Sequence, residues 1–459
     1  MCAELSIHEA AARAGLSEHT LRYYEKIGLI PHVTRAPSGH RRYTDDDLGW
    51  IDLLKRLRAT GMPVAKMVEF TQLTHAGDDT IADRLAILKT HRATVMEEIN
   101  ALHEDLDVID HKITWYSNWL KEQRNMKRTL GRSGIEVSAL GMGCWAIGGP
   151  WTFLGAAAGW GEIDDEESIR AIHAALDMGV NFFDTAANYG CGHSERILGK
   201  ALEGRWDEAI VATKFGYDVD EEKKEVSAYD GDEEQGDLVS RLRADCEASL
   251  RRLGTDVIDV YQLHVWGYDL AKAVAVRDAL EGLVKEGKIR TYGWSTDRVD
   301  AVRLFAEGPG CAVVQQQLNI FDGELEILRA CDELDLASLN RGPLGMGLLT
   351  GKFTPDSTFT ANDVRHRMQW FPGFKDGKPN PDWLKKLEAV REILTSGGRS
   401  LAQGALAWIW DVSDRTVPIP GFKTVEQVQE NAGAMQYGPL RPEQMVEIDQ
   451  ILERESVLT

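Results

Sequence analysis

Three regimes of hydrophobic spacing follow one another along the chain. In LSIHEAAARAGLSEHTLRYYEKIGLI, Ile7, Ala11 and Ala14 recur at helical spacing, Gly15 breaks the pattern, and Ser17 caps a second helix that runs through Lys26. Two short helices about a tight glycine turn predict a helix-turn-helix. After Gly28 the pattern becomes alternation in LIPHVTR, a turn at APSG and a return through HRRY, which predicts a two-stranded wing. Thr44, with Asp47 three residues on, opens a further helix that Gly61 ends, and Pro63 starts another.

The second regime is one long helix. From Asp78 to Arg124 there is neither Pro nor Gly. Ile81, Leu85, Leu88, Val95, Ile99, Leu102, Leu106, Ile109, Ile113, Tyr116 and Leu120 follow steps of four and three, interrupted where Arg92 takes an apolar slot. A helix of this length extends about 70 Å and cannot bury its stripe alone. The spacing therefore predicts a coiled coil and a homodimer, with a single long core helix as the alternative, and leaves the strand direction open.

In the third regime, strand-like runs alternate with amphipathic helices: VSALGMG, NFFDTA, AIVATKFG, VIDVYQLH, IRTYGWST, CAVVQQQLN, LDLASLN and TVPIP. Eight such units predict a (β/α)8 TIM barrel with its chemistry at the C-terminal strand ends. A doubly wound sheet is the runner-up. Its best support, GMGCWA at 141–146, satisfies a dinucleotide fingerprint, but the following IGGPWTF cannot open the helix that the fingerprint needs. The expected organisation is multidomain: an all-α winged helix-turn-helix over 1–77, a coiled-coil helix over 78–125 and the barrel over 126–459.

Composition adds boundaries. A chain of 459 residues has room for two or three domains. It holds no apolar run of about 18 residues and no signal-peptide pattern, so a cytoplasmic protein without a membrane partner is expected. Six scattered cysteines without a C-x-x-C pair suggest neither a disulfide framework nor a metal site. The net charge of −21 is uneven: residues 1–77 hold ten Lys/Arg against nine Asp/Glu, so the acidity lies in the remainder. In the first region His19, Thr20, Arg22 and Tyr23 would face a DNA groove, and Arg35, Arg41, Arg42 and Tyr43 on the wing suit phosphate contacts.

At the barrel rim stand Asp184 after NFF, Lys214 after VAT and His264 after YQL, with Tyr189 in the loop beyond Asp184. Together they suit carbonyl reduction, because an alkoxide formed by hydride addition needs a proton donor and a polar surround. Tyr189 would donate the proton, with the Lys214 ammonium bringing its pKa nearer neutrality. Asp184 would hold the lysine, and His264 would orient the carbonyl. Trp145, Trp151, Trp160 and Trp266 are candidates for the substrate mouth. An acidic loop, YDVDEEKKEVSAYDGDEEQGD, reads as a solvated insertion rather than a gate.

Two resemblances sharpen this reading. TLRYYEKIGLIP, GHRRYTDDDL and LRATGMPVAKM resemble successive blocks of the MerR family of transcriptional regulators, collinear over residues 5–73. The resemblance implies Thr20, Arg22, Tyr23, Arg41 and Tyr43 as contacts to double-stranded promoter DNA, an antiparallel helix pair, and action by twisting an over-long promoter spacer. MGVNFFDTAANYGCGHSERILGKAL and SLRRLGTDVIDVYQLH are similar to the hallmark segments of the aldo-keto reductases, and RGPLGMGLLTGKF and IPGFKTVEQVQENAGA to their later cofactor-binding stretches, over 126 to about 445. That resemblance implies NADP(H), a catalytic tetrad of Asp184, Tyr189, Lys214 and His264, and Ser295 and Gln315 at the nicotinamide carboxamide. Arg341 takes the place of a nicotinamide-stacking aromatic, with Gly342 and Leu344 in the same cofactor stretch. Glu430 and Asn431 fall at the adenine, Gln427 on a phosphate-reading arginine, and Lys423 is the cation near a 2′-phosphate.

The leading expectation is a transcriptional regulator whose effector domain is an NADP(H)-binding reductase acting on a small carbonyl compound. No flexible linker separates the two parts, so a stiff junction is expected. The alternatives are a dimeric carbonyl reductase whose N-terminal part only dimerises or autoregulates, and a catalytically silent cofactor sensor.

Overall fold

The computed structural model describes residues 4–454 apart from 32, 125, 229–236, 367 and 369, and only the backbone of 111 and 114–124. Contacts divide the chain into two units, Met1–Asn118 and Trp119–Thr459.

In the first unit, helix α1 (Ile7–Ala14) starts at Ser6, whose hydroxyl accepts from the Glu9 amide while the Glu9 carboxylate accepts from the Ser6 amide. Such a reciprocal cap satisfies two otherwise orphaned donors. Gly15 ends the helix in the left-handed region at φ +65, and Ser17 caps α2 (Glu18–Lys26). The wing pairs Thr34–Arg35 with Arg41–Arg42 in antiparallel register. Helix α3 (Asp45–Ala59) begins at the Thr44–Asp47 box, and α4 (Val64–His75) follows Pro63. Leu21, Leu29, Ile51, Leu54 and Met67 form the core, each worth about 1.5–3 kcal/mol on burial. Tyr43 belongs to that core with 0% exposure. This corrects the expectation of a DNA contact there: Tyr43 bridges to Leu5 just past the wing strand and its ring packs into the helical core, and burial holds its phenol above the ordinary value.

Helix α5 (Ile81–Arg124) is continuous, as its spacing predicts. Ile87 and Leu88 pack against the core of the first unit. Ile81, Leu85, Ile99, Leu102, Leu106, Ile109 and Ile113 are exposed. The expected stripe positions Tyr116 and Leu120 have side chains outside the described set.

In the second unit, eight strands follow one another in chain order around a parallel sheet: Gly141–Gly143, Phe182–Asp184, Ile210–Phe215, Ile258–Leu263, Ile289–Ser295, Cys311–Asn319, Ala337–Arg341 and Thr416–Pro418. A parallel bridge between Gly143 and Gly421 brings the last strand's exit beside the first and closes the barrel. Seven of the eight predicted segments contain one of these strands, and LDLASLN covers all of the seventh but Arg341. Inside, Phe182, Ala212, Val260, Val313, Leu339 and Val417 meet, and the hairpin Lys127–Thr129/Glu136–Ser138 adds Leu130, Ile135 and Val137 to the same cluster. That hairpin plugs the N-terminal end. At its turn Gly131 has φ +46, and a Cβ there would lie 2.4 Å from the Asp335 carbonyl oxygen, so only glycine admits the close approach. The polar rim is thereby left to the opposite end.

The acidic loop departs from expectation. Tyr217–Asp220 pairs with Glu225–Ala228, which runs parallel to Thr152–Phe153, itself paired with Ala156–Ala157. The result is a four-stranded sheet rather than a solvated insertion, because Val226, Phe153 and Val219 supply an apolar face. The remainder of that loop, 229–236, lies outside the described residues.

Candidate functional site

Parallel strands of a barrel point their carboxyl ends to one rim, and four chemically reactive side chains gather there. Asp184 ends the second barrel strand, Lys214 lies in the third, and His264 follows the fourth. Tyr189 sits in the loop after Asp184. Its position is set by the neighbouring Gly190, φ +61, where a Cβ would come within 1.8 Å of the Gly148 carbonyl oxygen.

The Lys214 ammonium is fully buried and uses its three donors within the protein. It donates to Asp184 Oδ2 at 2.7 Å, to the Thr185 carbonyl at 2.9 Å and to the Tyr189 hydroxyl oxygen at 3.2 Å. Since the phenol oxygen accepts from Lys214, its own O–H is free to donate elsewhere. The other Asp184 oxygen accepts from Gln315 Nε2 at 2.7 Å and Gln262 Nε2 at 3.3 Å. Burial pulls the Lys214 pKa down, but Asp184 and Tyr189 outweigh it and leave it above the ordinary lysine value. For Tyr189 the balance goes the other way. Burial raises its pKa more than Lys214 lowers it, so the phenol stands above its ordinary value. The expected shift toward neutrality is therefore corrected: desolvation of a phenolate costs more here than one nearby ammonium returns. Burial, then Lys214 and Arg341, hold His264 well below the usual imidazole range, so it is neutral.

Trp145 stacks on Tyr189 with centroids 5.9 Å apart, and Tyr189 sets its edge toward His264 at 5.8 Å. These groups open into a cavity of about 1300 Å³. That exceeds the roughly 300–1000 Å³ of a pocket for one drug-sized ligand, leaving room for a cofactor beside a substrate. Asp184, Tyr189, His264, Ser295, Gln315, Arg341, Gly342, Leu344, Lys423, Gln427, Glu430 and Asn431 all line it, as do Trp145, Trp151, Trp160 and Trp266. Lys214 lies behind the wall.

Ser295 and Gln315 are almost fully buried on the floor. The Arg341 guanidinium donates to Asp297 and to Gln317 Oε1. Lys423 Nζ donates to the carbonyls of Trp160 at 2.6 Å and Glu162 at 3.3 Å, so that ammonium is already engaged. Two further cations on the wall escaped sequence reasoning. Burial and Arg365 depress the Lys352 pKa, and burial likewise lowers Lys423. Arg365 lies over the Trp160 and Phe359 rings and forms a two-point pair with Asp363. Asp363, Glu430 and Glu162 stand near these cations, but among the described residues Lys352 forms no ion pair, so its ammonium is left to take an anion such as a phosphate of a phosphorylated dinucleotide. Lys352 stands inside the motif RGPLGMGLLTGKF and was findable there; Arg365 lies in the short 3-10 turn Val364–His366 with no comparable signal.

On the first unit, Arg22 and Tyr23 are exposed on α2, with Arg22 paired to Glu18 at 2.7 Å. Thr20 shares a hydrogen bond with the capping Ser17 at 2.8 Å. Arg41 and Arg35 both pair with Glu25. Arg41 is partly buried, and Tyr43 is not at the surface.

Residues 139–453 match the family described as Aldo/keto reductase family, and residues 5–72 match MerR HTH family regulatory protein. Aldo-keto reductase YhdN of Bacillus subtilis is 33% identical over 307 residues, covering 66% of this chain and 86% of that protein. The chloroplastic pyridoxal reductase of Arabidopsis thaliana is 30% identical over 68% of this chain and 82% of its own length. Among solved structures, a glycerol dehydrogenase of Gluconobacter oxydans is 32% identical with a TM-score of 0.61, covering 73% of this chain and 97% of that one. An aldo-keto reductase of Bacillus halodurans in its holo form is 27% identical, TM-score 0.57, over 71% and 95%.

Proposed function

The chain belongs to the aldo/keto reductase family, and on that premise we propose that its barrel reduces a small carbonyl compound with NADP(H) while its N-terminal unit binds promoter DNA as a MerR-type regulator. The observation that carries the reductase reading is the Lys214 ammonium lying between Asp184 and Tyr189 with every donor engaged.

In this reading the bound NADPH would be the source of the hydride that the carbonyl carbon needs. Tyr189 donates its proton to the developing alkoxide, and neutral His264 orients the carbonyl oxygen beside it. Lys214 stabilises the phenolate that proton transfer leaves, and Asp184, fixed by Gln315 and Gln262, holds the lysine. Lys352, Arg365 and Lys423 would receive phosphate charge; Ser295, Gln315, Arg341, Gly342 and Leu344 would face the nicotinamide end, and Gln427, Glu430 and Asn431 the adenosine end. The relative yakc of Schizosaccharomyces pombe is named with NADP(+), which agrees with this choice of cofactor.

Homodimerisation through α5 is supported by seven exposed apolar residues in heptad spacing. Arg22, Tyr23 and Arg41 with Thr20 would then read two half-sites. Control of DNA by the barrel requires that cofactor or carbonyl bind the two states of the dimer unequally.

NADPH oxidation with an aldehyde panel tests the enzyme. Replacement of Tyr189 by Phe should lower turnover by about 10²–10⁴-fold, the usual contribution of a general acid; equal rates would remove Tyr189 from the mechanism. DNA affinity measured with and without NADPH tests regulation, and identical affinity and twist would leave a dimeric reductase.

A further inference from the structure

Beside the groups that handle the carbonyl lies a second polar set without partners. Tyr217 opens the Tyr217–Asp220/Glu225–Ala228 hairpin, the segment that sequence reading took for a solvated insertion. Its ring is held edge-on by Phe153 at 5.5 Å and by His264 at 5.4 Å. Among the described residues its hydroxyl has no hydrogen-bond partner. Trp151 Nε1 and Asn188 Oδ1 are buried and equally unpaired. All three residues line the cavity that also holds Tyr189 and His264. Trp151 and Tyr217 pack in the same apolar cluster as the Tyr189 ring, and Asn188 precedes it in the chain.

A simple aldehyde brings one acceptor oxygen, which Tyr189 and His264 would take. The Tyr217 hydroxyl would then stay without a partner in the protein, and the buried Trp151 donor and Asn188 acceptor would stay unpaired, a cost that apolar contact does not recover. A hydroxyl answers both needs, accepting from Tyr217 or Trp151 while donating to Asn188. The match survives if the Asn188 amide is turned, since a hydroxyl serves either end. Tyr189 and Tyr217 both set their rings against the His264 imidazole and line the same cavity, so one bound molecule can meet both residues. Burial, with Tyr189, raises the Tyr217 pKa against the pull of Arg341, so its phenol stays a donor.

The geometry points to Tyr217 as a specificity-determining residue that, with Trp151 and Asn188, selects carbonyl compounds carrying a hydroxyl on the adjacent carbon. This rests on the reductase reading above. The hairpin is then the frame that places the selecting phenol, which explains its docking on the Thr152–Ala157 strands beside the site.

The test compares glyceraldehyde with propionaldehyde in the full-length chain. The ratio of their kcat/KM values should fall about 10-fold or more from wild type to Tyr217→Phe, because a site built to bond a hydroxyl discriminates strongly for it. Using each substrate in both proteins cancels the difference in carbonyl reactivity. An unchanged ratio overturns the proposal. A second arm needs no turnover: quenching of tryptophan fluorescence in NADPH-loaded Tyr189→Phe should show tighter binding of glyceraldehyde, with the preference lost when Tyr217→Phe is added. Equal affinities in the first of these proteins overturn the selective site alone. A preference in binding without reduction by wild type supports it and removes the reductase reading instead.

Discussion

Lys214 and Asp184 form an ion pair of 2.7 Å whose side chains are 0% and 3% exposed, 30 residues apart in the chain. Removing one partner leaves the other charged in a dry site, whereas a surface pair of equal length would lose little. Asp184→Asn and Lys214→Met should each destabilise the barrel by about 3–5 kcal/mol, measured by denaturant unfolding. Both should also lower carbonyl turnover. A variant that keeps full stability and rate would show that the pair is dispensable.

The pKa directions set the pH response. Tyr189 stands above its ordinary value and His264 well below its own, so the donor stays protonated and the imidazole neutral through the neutral range. The kcat/KM for reduction should therefore show no inflection between about pH 6 and 9 and fall only on the alkaline side. An acid limb near the ordinary imidazole value would contradict the burial of His264.

Stability follows by linkage. For His264, a depressed native pKa means that its contribution is complete above 6.5 and is lost as pH falls from there toward the native value. For Lys214, raised in the fold, the contribution is complete below 10.5 and is lost as pH rises through the native value. Lys214→Met should flatten the alkaline loss in a Tm-against-pH series, and an unchanged series would reject the assignment.

Lys352 and Arg365 should govern cofactor choice. Truncating either to Ala should weaken NADPH binding by about 10- to 100-fold, matching roughly 1.5–3 kcal/mol for a charge-assisted hydrogen bond, with a smaller effect on NADH. Fluorescence titration with both cofactors measures this. Equal losses for the two would place the cations at the shared diphosphate.

Tyr43 should behave as a core residue. Its ring is buried and its hydroxyl has no hydrogen-bond partner. Tyr43→Phe should therefore leave DNA affinity within about 3-fold and hold or raise the Tm, while Tyr43→Ala should cost about 3–5 kcal/mol. A large loss of DNA binding in the Phe variant would restore it as a contact.

Much of this was legible along the chain. Ser17, Gly15 and the Thr44–Asp47 box marked helix ends where they occur, because capping is local chemistry. The strand ends placed Asp184 and His264 on one rim, because a parallel barrel sends every carboxyl end the same way. Less legible were Arg365, in a single 3-10 turn, and Tyr217, on a charged hairpin whose apolar face meets Phe153 and Val226 only once the chain has folded. Tyr43 misled for the same reason: a wing aromatic reads alike whether its ring turns toward solvent or core.

The sequence by itself determined the order and kind of elements, since periods of two and 3.6 record which side of a strand or helix avoids water. Tertiary structure alone decided the electrostatics of the site. Gln315 reaches Asp184 across 131 residues and Lys214 reaches Tyr189 across 25. Whether burial or a neighbouring charge wins at Tyr189 depends on distances and exclusion of water, which hydrophobic spacing does not encode.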